Sequence, residues 1–220
     1  MKTAILIGAT GLVGSNALQL LLADDRFEKV KVFARRSKGI IHPKLEEHLI
    51  DFDLPDQWKH LVTGDVLFSA LGTTLKKAGG KNAQYRVDFT YQYEFAKAAS
   101  ANGVPVYVLV SSSGANADSL VFYLKMKGEL DREVKKLPFR HIHILQPGPL
   151  EGEREESRKS EETGIRITRF ITNLGIFSAY KPIHGKIVAQ AMINASFDTR
   201  AQYSVYKLLE VFRRAEDSTT

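Results

Sequence analysis

Two side chains that could exchange a proton with a carbonyl group lie four residues apart, at Tyr123 and Lys127. In a helix, residues at i and i+4 share a face, so the phenol and the ammonium would be neighbours. An ammonium group beside a tyrosine favours the phenolate. The tyrosine could therefore act as a general acid towards a carbonyl oxygen, or as a base in the reverse direction.

Three consecutive serines, Ser111, Ser112 and Ser113, follow the apolar run VYVLV. A hydroxyl at the end of a buried strand could orient the oxygen that the tyrosine protonates. Because the spacing to Tyr123 is short, the sequence leaves open which serine has this role. We expect Ser112, with Ser113 as the alternative.

A glycine-rich turn, GATGLVG, begins at Gly8 and lies between an apolar run and a leucine-rich segment. Glycine permits a tight turn, and without a Cβ atom the backbone can approach a pyrophosphate closely. The N–H groups that open the following helix would then bind that anion. The spacing favours a dinucleotide site, although a turn that is merely tight would contain the same residues.

Two arginines, Arg35 and Arg36, stand about 20 residues past the glycines, where NAD-binding folds have an acidic residue. A guanidinium group suits a 2′-phosphate through its charge and its paired donors. We therefore expect NADP(H) in preference to NAD(H), with Lys127 also holding the nicotinamide ribose. Asp51 could contact the adenine amino group or cap a turn, and both interpretations stay open.

Apolar runs alternate with segments of helical period along the chain, which predicts an α/β fold with a doubly wound parallel sheet. One domain would span residues 1–214, and residues 215–220 would form a frayed tail. The predicted strands are Thr3–Gly8, Lys29–Ala34, His48–Asp51, Val66–Ala70, Val106–Ser111, His141–Gln146 and Gln202–Val205. The predicted helices are Leu12–Ala23, Pro55–Leu61, Lys81–Asn102, Leu120–Lys136, Ile165–Leu174, His184–Ser196 and Leu208–Arg214. The charged segment Glu151–Glu162 is interpreted as a surface loop.

The composition excludes several classes of function. The chain has 220 residues, 44% hydrophobic and 25% charged, which argues against disorder. Without cysteine there can be no disulfide, thiolate zinc site or cysteine nucleophile, and the histidine spacing suggests no metal site. The net charge of +6 is spread along the chain rather than clustered with aromatic residues, so we expect no nucleic-acid partner. No apolar run approaches the roughly 20 residues of a membrane helix, so we expect no membrane partner. The lack of cysteine fits a reducing cytoplasm, so we expect a cytoplasmic protein.

Motifs that carry a family resemblance occur in order over roughly residues 3 to 195: GATGLVG, LGTT, LVSSSGA, YLKMK, QPGPL and GEREESR. The set resembles the short-chain dehydrogenase/reductases. More narrowly, it is similar to their small atypical branch, the TIP30-like (HIV Tat-interacting protein) family and its bacterial relatives. This resemblance implies a Rossmann fold, NADP(H) binding and a Tyr-Lys-Ser active site.

The resemblance also assigns individual residues. It implies a phosphate turn at Gly8, Thr10, Gly11, Leu12 and Val13, and a 2′-phosphate clamp at Arg35 and Arg36. It places Leu71 and Gly72 in a loop beside the adenosine ribose, and Pro147 and Gly148 in a segment near the nicotinamide amide. Tyr123 and Lys127 would be the catalytic pair. Asp88 is a departure, because many relatives have asparagine there, and this puts a proton relay through that position in doubt.

The implied function is an NADP(H)-dependent carbonyl reductase or dehydrogenase with a small carbonyl or alcohol substrate, acting as a monomer or homodimer. Two alternatives stay open: a non-catalytic NADP(H)-binding regulatory protein, and an NADP-dependent epimerase or dehydratase. Arg154 and Arg158 could bind a substrate carboxylate or phosphate, and Tyr180 could edge the pocket. For the two arginines, a solvated loop is the alternative interpretation.

Overall fold

Parallel strands with helices on both faces form the framework of the computed structural model, which describes residues 1–151 and 181–217. In these parts of the chain, seven strands pair in the order β3-β2-β1-β4-β5-β6-β9. Their bounds are β1 (Lys2–Ile7), β2 (Phe27–Ala34), β3 (Leu45–Leu49), β4 (Val66–Ser69), β5 (Val106–Val110), β6 (His141–Gln146) and β9 (Tyr203–Lys207). A separate parallel pair joins β7 (Leu150–Glu151) to β8 (Ile183–His184). The predicted doubly wound parallel sheet is confirmed.

The helices connect successive strands and cover the sheet. They are α1 (Leu12–Ala23), α2 (Pro55–Trp58), α3 (Leu75–Ala78), α4 (Lys81–Tyr85), α5 (Tyr91–Ala101), α6 (Phe122–Val134), α7 (Gly185–Ala195) and α8 (Leu209–Glu216). A 3₁₀ turn, Lys59–Leu61, extends α2, and a π-helical turn, Arg86–Thr90, joins α4 to α5.

Two apolar cores lie on opposite faces of the sheet because the central strands are buried on both sides. One core packs α1 and α7 against the sheet, through residues such as Leu21 and Met192. The other packs α5 and α6 against it, through residues such as Phe95 and Leu130. The second face is the one that carries Tyr123 and Lys127.

The third predicted strand is the main error in the fold. His48–Asp51 was expected, but the strand is Leu45–Leu49 and its residues are half-buried or exposed. Among the described strands it is at the edge of the sheet and pairs with β2 alone, so it has no continuous apolar run to mark its bounds. The short elements α3, β7 and β8 were not predicted.

The other predicted strands and helices in the described regions end within two residues of their expected positions. The helix expected at Ile165–Leu174 and most of the charged loop expected at Glu151–Glu162 lie outside the described residues.

Candidate active site

The carboxyl ends of β1, β4, β5 and β6 bring the expected site residues to one edge of the sheet. Gly8 follows β1, Leu71 and Gly72 follow β4, the serines follow β5, and Pro147 follows β6. In a parallel sheet this edge is where ligands bind. A backbone hydrogen bond from Ser113 N to Pro147 O, 3.0 Å long, joins two of these loops.

The turn between β1 and α1 depends on glycine at two positions. Gly8 has φ +87°, and a Cβ atom there would lie 2.4 Å from the carbonyl carbon of Ala70. A Cβ atom on Gly14 would lie 2.0 Å from the oxygen of Gly8, so the helix packs directly on the turn. These contacts exclude side chains and leave a bare backbone cradle of the kind that admits a pyrophosphate.

The start of α1 offers backbone donors to an anion. Gly11 caps the helix without any side-chain hydrogen bond, and the first turn has no acidic residue. The opening N–H groups and the positive end of the helix dipole therefore have no side-chain acceptor from the cap. Of the remaining turn residues, Thr10 is exposed, Leu12 is half-buried and Val13 is buried.

The loop after β2 presents its two arginines to solvent. Arg35 and Arg36 are exposed, and neither has an ion pair with another residue of the described chain. Glu47 of β3 fixes the loop just beyond them: it accepts hydrogen bonds from the Ser37 hydroxyl and from Lys38 N, the latter 3.3 Å long.

Asp51 has its carboxylate in a turn. Its Oδ1 accepts a 2.9 Å hydrogen bond from Asp53 N, and its carbonyl oxygen accepts one from Trp58 Nε1, also 2.9 Å long. Asp51 thus caps this turn, and its contact with the adenine amino group stays a prediction.

Tyr123 and Lys127 lie on the first turns of α6, one turn apart. The Tyr123 side chain is 38% exposed at the edge of the sheet, whereas Lys127 is only 4% exposed. Lys127 Nζ lies 3.2 Å from Asp88 Oδ1, and Asp88 Oδ2 accepts a 2.9 Å hydrogen bond from Thr73 N. Burial lowers the pKa of Lys127, but the charges of Asp88 and Tyr123 outweigh it, so the pKa is raised above its ordinary value.

Asp88 is a site residue whose pairing with Lys127 sequence reasoning missed. It lies on the π-helical turn, and Gln92 Nε2 donates a 2.7 Å hydrogen bond to its carbonyl oxygen. The side chain thus links the loop after β4 to the lysine on α6. Its position was visible in the sequence, but nothing there indicated a direct ion pair.

Gly128 allows the serine loop to pack against α6. A Cβ atom at this position would lie 2.2 Å from the backbone of Asn116 and Ala117. The loop is also held by a 3.0 Å hydrogen bond from Asn116 N to Leu124 O. The glycine directly after Lys127 in YLKMKG was the only sequence signal of this close contact.

The three serines have different surroundings. Ser111 is buried, and its hydroxyl faces Asp131 on α6. Ser112 and Ser113 are half-buried, and Ser112 Oγ donates a 3.3 Å hydrogen bond to Ser113 O. The two later serines are therefore the ones closer to solvent at this edge.

The remaining expectations concern three residues outside the described ranges, and membrane helices and metal sites. Arg154, Arg158 and Tyr180 lie outside the described residues. Within 1–151 and 181–217, no helix is long and apolar enough to cross a bilayer, and no cluster of three or more ligands could hold a metal ion.

Comparison with known proteins identifies the family. The model of a family described as NAD(P)H-binding matches residues 8–175. The FMP52 protein of Saccharomyces cerevisiae, named as mitochondrial, is 36% identical over 212 residues, covering 90% of this chain and 91% of the relative. A mitochondrial Fmp52-1 protein of Aspergillus terreus is 36% identical over 204 residues, covering 89% and 87%. The narrower resemblance to TIP30-like proteins stays a prediction.

Solved structures share the fold at low identity. UDP-glucose 4-epimerase of Thermotoga maritima, solved with UDP-glucose, superimposes with a TM-score of 0.70 at 11% identity, covering 97% of this chain and 81% of the epimerase. The Bordetella bronchiseptica enzyme WbmH, solved with NAD⁺, gives 0.70 at 16% identity, covering 94% and 75%.

One expectation is wrong on these comparisons. A cytoplasmic location was expected from the lack of cysteine, but the FMP52 relatives are named as mitochondrial proteins. A reducing interior is compatible with more than one compartment, so cysteine usage could not decide the location. The matched family model and these relatives together show that the chain belongs to the NAD(P)H-binding family, with the FMP52 proteins among its members.

Proposed function

We propose that this protein is an NADP(H)-dependent oxidoreductase that interconverts a small carbonyl compound and its alcohol. One observation carries the proposal: an accessible phenol, Tyr123, lies one helical turn from a buried and charged Lys127. This pair stands at the same sheet edge as the glycine turn, which suits a dinucleotide.

When bound, the nicotinamide supplies the hydride chemistry. Tyr123 Oη gives its proton to the substrate oxygen in reduction and takes it back in oxidation. Lys127 holds the nicotinamide ribose and stabilises negative charge on the phenolic oxygen. Ser112, or in its place Ser113, donates a hydrogen bond to the substrate oxygen, whereas Ser111 is buried beneath them.

The proposed cofactor contacts use backbone more than side chains. The glycine turn with Thr10, Leu12 and Val13 receives the pyrophosphate. The loop at Leu71–Gly72 lies beside the adenosine ribose, and Pro147–Gly148 lies near the nicotinamide amide. Arg35 and Arg36 clamp the 2′-phosphate, which gives the preference for NADP(H) over NAD(H).

The cofactor preference is tested by ligand protection against thermal unfolding. We expect NADPH to raise Tm more than NADH at equal concentration, because only NADPH has the 2′-phosphate. Arg35→Asp should weaken NADPH binding about tenfold, the loss of one charge-assisted contact, and leave NADH binding within about twofold.

Arg140→Asp is the matched control, since Arg140 is an exposed arginine next to the amino end of β6, at the opposite edge of the sheet. It makes the same change in net charge and should not alter the NADPH/NADH ratio. Equal protection by the two cofactors in the wild-type protein would contradict the arginine clamp.

The role of Tyr123 is tested with Tyr123→Phe on a panel of aldehydes and ketones, followed by NADPH absorbance. We expect turnover to fall by roughly 10²-fold or more, because a positioned general acid contributes about that much. NADPH affinity should stay within about twofold. Tyr203→Phe, which alters a tyrosine on the edge strand β9, is the control, and substantial turnover by Tyr123→Phe would show that another group donates the proton.

A second candidate is an epimerase or dehydratase, which the solved structures of similar fold favour. Such enzymes would use the same tyrosine and lysine without net consumption of the cofactor. Conversion of a sugar nucleotide without net change in NADPH absorbance would select this function. Protection by NADPH without any turnover would select a regulatory protein.

A further inference from the structure

Asp131 is a buried acid that the proposed chemistry does not use. It lies one turn beyond Lys127 on α6, so Tyr123, Lys127 and Asp131 form one stripe at i, i+4 and i+8. Only 6% of Asp131 is exposed. Its Oδ2 accepts a 2.8 Å hydrogen bond from Gln146 Nε2.

The other carboxyl oxygen of Asp131 faces a hydroxyl, and both are unsatisfied. Within the described chain, Asp131 Oδ1 and Ser111 Oγ are buried and have no hydrogen-bond partner of good geometry, although the two side chains face each other. Buried polar atoms without partners are costly, so a hydrogen bond between these two oxygens is expected. Either Ser111 Oγ donates its proton to Oδ1, or a protonated Oδ1 donates to Ser111 Oγ.

The count of buried charges favours a neutral carboxyl here. Lys127 is the buried cation on this face, and its ion pair is with Asp88. Asp131 has no ion pair with any described residue. The charged or titratable groups that act on it are Lys127 of its own helix, Lys135 directly after that helix, and the buried phenol of Tyr107 on β5. A second carboxylate in this core would be a buried charge without its own cation.

We propose that Asp131 is a positioning residue that carries a proton in the resting protein and, as an acid, clamps the ends of β5 and β6 to α6. Asp131 contacts two residues, and each of them stands immediately before a loop of the site. Ser111 precedes Ser112 and Ser113, and Gln146 precedes Pro147 and Gly148. Protonated at Oδ1, Asp131 donates to Ser111 Oγ while Oδ2 accepts from Gln146. One side chain thereby fixes the serine turn and the loop after β6 relative to the helix of Tyr123 and Lys127.

The electrostatics of the site agree with this assignment. Burial raises the pKa of Asp131, and the hydrogen-bonding groups of Ser111 and Gln146 and the charge of Lys127 only partly oppose the effect. A carboxyl whose pKa is higher in the folded than in the unfolded chain makes the fold less stable as pH rises from its ordinary value of 3.8 through its folded value.

Asp131→Asn and Asp131→Ala are the test variants, and Asp118→Asn, the same change at an exposed acid in the turn before α6, is the matched control. Asparagine keeps one donor and one acceptor without charge. We expect Asp131→Asn to match or exceed the wild-type Tm at pH 7, and its Tm curve to lack the decline with rising pH that Asp131 contributes. Asp131→Ala should lower Tm at all pH values, and Asp118→Asn should leave the pH slope of the wild type in place.

The positioning role has its own readout, which depends on the proposed function. Asp131→Ala should lower kcat for carbonyl reduction about tenfold or more and weaken NADPH binding by a clearly smaller factor, since Pro147–Gly148 is the only proposed cofactor contact that follows a strand held by Asp131. Asp131→Asn should recover most of that kcat. A kcat for Asp131→Ala equal to that of the wild type would overturn the positioning role.

The proposal that Asp131 is protonated is contradicted if Asp131→Asn is destabilised as much as Asp131→Ala at pH 7, or if the pH slope of its Tm equals that of the wild type. These stability curves need no substrate, so they decide the assignment even when no carbonyl compound is turned over. If Asp131→Ala does not fold, the comparison of Asp131→Asn with the wild type still decides it. The failure of the proposed function is a separate result, namely a wild-type protein without NADPH protection or turnover.

Discussion

The most demanding contact at the residue scale is the ion pair between Asp88 and Lys127. Both side chains are almost fully buried, with exposed fractions of 2% and 5%. A buried pair offsets its desolvation only while both charges are present, so removing one partner costs about 3–5 kcal/mol. The pair also joins parts of the candidate site, because Asp88 accepts a hydrogen bond from Thr73 N in the loop after β4 and Lys127 lies one helical turn from Tyr123.

A double-mutant cycle measures this coupling. We expect Asp88→Asn and Lys127→Met each to lower the free energy of unfolding by about 3 kcal/mol, and the double variant to lose clearly less than the sum. Without Asp88, burial pushes the pKa of Lys127 down, so the Asp88→Asn protein should regain stability as pH rises towards 10.5, the ordinary value for lysine. Urea unfolding at several pH values gives both quantities, and additive losses would show that the charges do not interact.

At the scale of elements, local patterns were sufficient for the helices and the central strands. The strands β1, β4 and β5 contain continuous apolar runs, and α1 begins and ends where its period predicted. The edge strand β3 was misplaced because its residues are only partly buried and carry no such run. The π-helical turn at Arg86–Thr90 was read as ordinary helix, since one extra residue in a turn leaves no mark in the composition.

The same distinction applies to the candidate site. Tyr123 and Lys127 could be paired from the sequence because both lie on one helix, where spacing determines the face. Asp88, which pairs with Lys127, lies on a different element from that lysine. Likewise Asp131, which faces Ser111, lies on α6, whereas Ser111 follows β5. Such contacts depend on how helices dock on the sheet, which spacing along the chain does not specify.

At the scale of the whole molecule, a second polar cluster lies where β6 and β9 pair, away from the candidate site. His143 on β6 is fully buried and lies against Tyr206 of β9, with 3.4 Å between Nδ1 and the phenolic oxygen. Asp198 and Arg214, which are 3.4 Å apart, add charge beside them. Asn194 of α7 donates hydrogen bonds to the carbonyl oxygens of Arg214 and Ala215 and so ties α7 to α8. The last strand and the last two helices thus share one buried polar junction.

His143 in this junction makes the fold less stable in acid. Burial lowers the pKa of His143 to about 4 from its ordinary value of 6.5. The charge of Asp198 partly opposes this effect, and the charges of Arg214 and His141 add to it. Between those two values the unfolded chain binds a proton that the folded chain does not, so stability falls as pH drops from 6.5 to about 4, by at most about 3 kcal/mol. His143→Gln should remove this component from the pH dependence of urea unfolding. The control His141→Gln alters a partly exposed histidine on the same strand and should retain this component. A wild-type stability curve that is flat between pH 6.5 and 4 would mean that the core does not hold His143 neutral.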